Sequence, residues 1–236
     1  MGRAFEFRRA RKEKRWGQMA KTFTKLGKEI AMAVKQSGPD PELNSRLRVA
    51  VQNAKGANMP KDRIDAAIKR ASSKDEKDYE EIIYEGYGPH GIAILAECAS
   101  DNPIRTVANV RMYFTRSGGT LGKTGSLEFL FDRLGIFRIP AEGIDLEEIE
   151  LDLIDAGAEE IETEEGEIVI TTDFSNFGAM LKMLEEKKIE VISSELHRLP
   201  KNTVELPEDQ QEEINKLIER FEDDDDVQNV YHNMKE

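Results

Sequence analysis

Apolar residues recur at helical spacing near the start of the chain. Met19, Phe23, Leu26, Ile30 and Val34 are separated by four, three, four and four positions. That period predicts an amphipathic helix over residues 18–38. A second helix follows, with Asp40 as N-cap, Pro41 at its first position, Gly56 as stop, and Leu43, Leu47 and Val51 facing a core. A third begins at Pro60 and buries Ile64, Ala67 and Ile68. Three short helices with tight connections predict a small helical bundle.

From Tyr79 the period changes. "EEIIYEGYG" and "GIAILAECA" read as strands around Gly88–Gly91, "SDNPIRTVANVRMYFTRSGG" as a capped helix, and "SLEFLFD" as a further strand. "GIFRIP", "DLEEIELDLIDAG", "AEEIET", "EIVITTD", "SNFGAMLKMLEEK" and "IEVISSELHRL" then give strand, helix, two strands in a hairpin about Glu165-Gly166, helix and strand. This βαββαβ order is the ferredoxin-like unit. The tail supplies "NTVEL" as strand, "PEDQQEEINKLIERF" as helix and "DVQNVYHN" as strand. Neither the ββαβ piece before the insertion nor the βαβ tail is complete alone, so the two are expected to pair. The expected fold is α+β and multidomain: a three-helix bundle over 1–78, a discontinuous α/β domain over 79–134 plus 200–236, and an inserted ferredoxin-like domain over 135–199.

Charge sharpens the picture because it is unevenly placed. Residues 1–70 hold 18 Lys+Arg against 7 Asp+Glu, while 71–236 hold 16 against 40, for a chain of net charge -13. A cationic front on an acidic protein points to an anionic partner. "FRRARKEKRW" at 7–16 reads as a mobile cationic arm, with Trp16 closing it against the bundle or stacking on a base. Lys21, Lys25, Lys28 and Lys35 fall within a stripe roughly 80° wide, opposite the apolar one. Arg46, Arg48, Lys61, Arg63, Lys69 and Arg70 extend the set. Each such cation set on a phosphate releases condensed counterion.

Other chemistries fit poorly. No run reaches the length of a membrane span, and the start lacks an apolar leader core. Cys98 is the single cysteine, so no internal disulfide can form and a reducing, cytoplasmic setting is expected. His90, His197 and His232 are scattered, without metal-ligand spacing. "GGTLGKTGS" holds a Gly-Lys-Thr triplet, but Ser117 stands where a phosphate loop needs Gly, and a helix precedes it where a strand should. The "EDDDD" run at 222–226 reads as a solvated turn. No catalytic residue, metal site or cofactor is expected, and the chain reads as a non-enzyme.

Several long blocks carry a resemblance. "PDPELNSRLRVAVQNAKGANMPKDRIDAAIKRAS", "YEGYGPHGIAILAEC", "DNPIRTVANVR", "SGGTLGKTGSLEFLFDRLGIF", "LPKNTVEL" and "DDDVQNVYHN" closely resemble the YebC/PmpR family, in order from about Gly17 to Asn233. That family comprises bacterial proteins classed as transcriptional regulators and the mitochondrial translational activator of cytochrome c oxidase. The resemblance implies three domains, one discontinuous, and no established catalytic residue. The family's usual Gly-His-Ser-Lys-Trp start is here "MGRAFEFRRARKEKRW", similar to a second branch of the family.

The expected function is a DNA-binding transcriptional regulator acting at promoters, with a ribosome-associated translation factor bound to ribosomal RNA as the alternative. The expected nucleic-acid contacts are Arg8, Arg9, Arg11, Lys12, Lys14, Arg15, Lys21, Lys25, Lys28, Lys35, Arg46, Arg48, Lys61, Lys69 and Arg70. The acidic α/β domains are expected to face outward, free for a protein partner; no membrane partner is expected.

Overall fold

The computed structural model of the chain describes residues 3–73, 78–164 and 166–235, the side chains of 3–18 and 164 excepted. Helix α1 runs over Arg3–Ser37. The cationic stretch is therefore helical and continuous with the amphipathic segment, not a separate arm. Its Arg, Lys, Glu and Ala residues are good helix formers, and no proline interrupts them before Pro39. Gly38, at φ 92°, closes α1 by donating its N–H to the Val34 carbonyl at 2.8 Å.

Helix α2 (Ser45–Gly56) starts later than its proline suggests. Asn44, not Asp40, is the N-cap. Its Oδ1 accepts from Leu47 N–H at 3.0 Å, and its Nδ2 donates to the carbonyls of Ala33 and Gly38 at 2.7 and 2.8 Å. One buried amide thus starts α2 and ties it to the end of α1, whereas Asp40 closes a turn that leaves Leu43 83% exposed. Helix α3 (Lys61–Ala71) completes the bundle. Ile30, Val34, Leu47, Ala54, Met59 and Ile64 form its buried core, with Phe23, Leu26 and Ile68 packed against them.

Strands β1 (Glu80–Tyr87) and β2 (Ala93–Ser100) form an antiparallel hairpin, followed by α4 (Pro103–Arg116) and the two-residue β3 (Thr120–Leu121). Residues 128–130 form a turn of 3-10 helix, and β4 starts only at Phe131 and continues to Pro140. Of the strand expected over "SLEFLFD" only Phe131 and Asp132 are extended, and they open the same strand as "GIFRIP". Then come α5 (Leu146–Asp155), β5 (Ala158–Glu164), β6 (Glu167–Asp173), α6 (Phe177–Glu186) and β7 (Ser193–Pro200). Helix α7 (Glu208–Glu222) and β8 (Val227–His232) end the chain. The strand expected over "NTVEL" is reduced to a single parallel bridge between Val204 and Met234.

Two four-stranded antiparallel sheets result, ordered β3-β1-β2-β8 and β5-β6-β4-β7. The first is closed by the chain's last strand, paired with β2. Helices α4 and α7 cover one face of it, where Ile94, Ala96, Val110, Phe114, Ile214, Leu217 and Phe221 are buried, and the Phe114 and Phe221 rings meet edge-on at 5.2 Å. The second sheet has the strand order of a ferredoxin-like unit, with α5 and α6 burying Phe137, Ile139, Leu153, Ile170, Met180 and Leu184 against one face.

The Gly-Lys-Thr segment is a loop hydrogen-bonded to the protein itself. Glu85, 1% exposed, accepts the N–H groups of Gly125 and Leu127 on its carboxylate, and its carbonyl accepts Gly122 N–H at 2.7 Å. Two amides that a phosphate loop would aim at an anion are thus spent on an internal one.

Candidate nucleic-acid interface

The predicted cations divide into three groups. The side chains of Arg8, Arg9, Arg11, Lys12, Lys14 and Arg15 lie outside the described residues, as does that of Trp16.

A second group holds the protein together. Lys28 is 8% exposed, and its ammonium donates to the Ala99 carbonyl at 3.0 Å, the Asp225 carbonyl at 2.7 Å and Asp226 Oδ1 at 2.9 Å. It also stands 5.2 Å from the centre of the Tyr79 ring. Lys21 pairs with Asp223, and Lys25 donates to the Gln228 carbonyl at 3.2 Å. Burial draws the Lys25 amine below its usual value, against the opposing pull of Glu222. Lys35 pairs with Asp78 at 3.2 Å, Arg46 with Glu81 and Gln36, and Arg48 with Glu185 at 2.9 Å. Asn53 adds two hydrogen bonds to the backbone of Ser194, each 2.8 Å.

The stripe opposite the apolar face of α1 is therefore not a free phosphate-binding face over residues 21–28. It docks onto the loop between α7 and β8. The acidic run is correspondingly a solvated turn only in part: Glu222, Asp223 and Asp225 are exposed, whereas Asp224 and Asp226 turn inward. Asp226 is 4% exposed and accepts, besides Lys28, from Arg105 at 2.6 Å and Thr106 at 2.9 Å, while Asp224 accepts from Tyr113 at 2.9 Å. Burial pushes the Asp226 carboxyl up, but the hydrogen bonds from Arg105, Lys28 and Thr106 outweigh it, and the group sits below its ordinary value. A single helix cannot reveal this, because a lysine stripe matched to acids 200 residues away looks the same as one facing solvent. The signal in the sequence was the pairing of a cationic stripe with an acidic run of similar size.

The third group is free. Lys61, Lys69 and Arg70 on α3 are exposed and have no ion-pair partner among the described residues, and the same holds for Lys55 at the end of α2, a position absent from the sequence-based set. Arg63 lies 5.8 Å over the Phe23 ring. Arg63 and Arg70, one heptad apart, line an open groove of about 430 Å³ between α1 and α3 with Phe23, Met59 and Tyr79. Among the described residues no cluster of His, Cys, Asp and Glu could hold a metal ion, and no helix is long and apolar enough to cross a membrane.

Comparison with known proteins places this architecture. The family model for the TACO1/YebC protein N-terminal domain matches residues 3–74, and that for the TACO1/YebC second and third domain matches residues 79–234. The chain belongs to the TACO1/YebC family. A relative from Cytophaga hutchinsonii is 66% identical over 236 residues, covering 100% of this chain and 99% of that one. Another from Flavobacterium johnsoniae is 59% identical, covering 100% of both. Each is named "Probable transcriptional regulatory protein", so these TACO1/YebC relatives carry the name of a regulator and not of an enzyme. The crystal structure of the conserved hypothetical protein Aq1575 from Aquifex aeolicus has the same fold, with a TM-score of 0.78 at 36% identity over 92% of this chain and 90% of that one.

Proposed function

We propose that the chain is a non-enzymatic, cytoplasmic regulator that binds DNA at promoters through the outward-facing cations of its helical bundle. In this reading the chain has three domains, 1–78, 79–134 with 200–236, and 135–199, each built around an apolar core of its own. The observation that carries it is the division of the cations. Those facing the α/β part are consumed by Asp223, Asp226, Glu81 and Glu185, whereas Lys61, Lys69 and Arg70 point to solvent on the same bundle as the Arg/Lys-rich first half of α1. A cation keeps its counterion-releasing value only where no internal carboxylate already neutralises it. Lys61, Lys69 and Arg70, with Arg8, Arg9, Arg11, Lys12, Lys14 and Arg15, are the proposed phosphate contacts, and the ion-paired bonds set the angle at which the bundle is presented.

Fluorescence anisotropy with labelled duplex DNA and a labelled ribosomal RNA stem-loop, each at near-physiological salt, tests the reading. DNA should bind more tightly, and K61Q/K69Q/R70Q should weaken it several-fold without changing thermal stability. Tighter binding of RNA would assign the same face to the ribosome, and binding unaffected by the triple substitution would overturn the assignment of the face.

A further inference from the structure

The second sheet has one face covered by α5 and α6 and another that lies outside the buried cores except where His197 meets the Tyr231 ring edge-on at 5.0 Å. On that second face the register brings together Leu199 opposite Asp132, Leu134 opposite His197 and Asp173, Ile136 opposite Glu195 and Thr171, and Val169 opposite Glu162 and Arg138. Leu134, Ile136, Val169 and Leu199 run diagonally across three strands. They belong to none of the buried clusters, each keeps solvent access, and Leu199 is 51% exposed. Carboxylates frame this apolar strip. Asp132 is paired with Lys201 at 3.3 Å and Glu167 with Arg138 at 3.4 Å. Glu160, Glu162 and Glu195 are exposed and form no ion pair among the described residues.

Residues 135–199 hold 5 Lys+Arg against 18 Asp+Glu, a net charge of -13 equal to that of the whole chain, so the remaining residues are neutral in sum. This unit is the most acidic part of the chain; residues 71–134 with 200–236 hold 11 Lys+Arg against 22 Asp+Glu, which the cationic residues 1–70 offset. Solubility alone does not require an apolar strip at its centre.

We propose that this sheet face is the docking site for a lysine- and arginine-rich segment of a partner protein. The carboxylate frame repels phosphate, which excludes nucleic acid and anionic lipid from this face. A cationic segment satisfies both features at once: its ammonium or guanidinium groups reach the frame while their methylene stems lie along the leucine and isoleucine strip. With strands ~4.8 Å apart, the four-stranded face is ~14 Å wide, room for one strand or one helix. The exposed cations Lys61, Lys69 and Arg70 lie on α3 and the frame on the second sheet, so one molecule can hold nucleic acid on the one and a basic protein on the other.

The test uses the full chain and a fluorescein-labelled twelve-residue peptide of alternating lysine and serine with two central leucines. Anisotropy at about 50 mM salt should show binding that E160Q/E162Q/E195Q weakens by about ten-fold. E147Q/E148Q/E150Q removes the same charge from α5, on the opposite side of the sheet, and should weaken binding less than about two-fold. Leu199→Ser, at an exposed position, should weaken it several-fold, with the deficit persisting at about 0.5 M salt, where the frame is screened. All three sets change exposed side chains, and a cooperative thermal transition retained in each confirms folding. Equal weakening by the two triple substitutions would overturn the proposal in favour of diffuse attraction. So would absence of peptide binding, or self-association in sedimentation abolished by E160Q/E162Q/E195Q, which would make the occupant a second copy of the chain.

Discussion

Replacing Lys28 with Met separates docking from nucleic-acid binding. The substitution keeps the length and most of the apolar stem but removes an ammonium that satisfies two carbonyls and one carboxylate. Breaking a buried ion pair by deleting one partner costs ~3–5 kcal/mol, because the other charge stays behind uncompensated. Asp226 retains Arg105 and Thr106, which places the cost at the lower end, ~3 kcal/mol. At 2–4 °C per kcal/mol for a chain of this size, the thermal midpoint should fall by ~6–12 °C. Lys21→Met, which loses an exposed pair with Asp223, should cost only ~0–1 kcal/mol. Urea denaturation followed by circular dichroism measures both, and K28M, D226N and the double substitution form a cycle in which the double costs much less than the sum of the singles. A loss below about 1 kcal/mol for K28M, accompanied by weakened DNA binding in the folded protein, would refute the reasoning and return Lys28 to the phosphate contacts.

Glu29 gives a pH dependence whose sign follows from its burial. Burial, with Glu195, Glu81 and Glu97 adding to it against Arg46, pushes its carboxyl up from 4.5 to about 7. The stability it contributes is full below 4.5 and is lost as pH rises through about 7, so Glu29→Gln should raise stability at pH 8 relative to the parent and leave it unchanged at pH 4. The Cys98 thiol is buried within the first sheet, and burial, with Asp224 and Asp226 nearby, pushes it up to about 12; a disulfide reagent at pH 8 should react with it only on unfolding. Gly86 has no room for a side chain, since a Cβ there would stand 2.6 Å from the Thr120 carbonyl oxygen and 2.7 Å from the Phe114 ring. Gly86→Ala should therefore cost ~1–3 kcal/mol, read as a lower urea midpoint.

Local patterns announced most elements, while long-range charge pairing stayed hidden. The helices around Ile30, Leu47, Ile64 and Phe114 and the βαββαβ order could be read from periodicity, because each buries a face whose spacing the chain writes locally. Asp40-Pro41 misled, since a capping pattern in sequence does not show that Asn44 has two carbonyls waiting for its amide. The strand expected near Val204 lost to its surroundings: β8 already pairs with β2 over five residues, and only Val204 meets Met234. Lys28 was legible as a cation but not as a buried one, because its acceptors at Ala99 and Asp226 lie 71 and 198 positions away.

The salt dependence of DNA binding tests most directly the division of the cations into an inner, structural set and an outer, phosphate-binding one. The slope of log affinity against log salt should become shallower by about 2–3 in K61Q/K69Q/R70Q, at about 0.9 per phosphate contact removed. It should stay unchanged in K21Q/K35Q/R46Q, which removes three cations already paired with Asp223, Asp78 and Glu81. An unchanged slope in the first variant and a shallower one in the second would contradict the account.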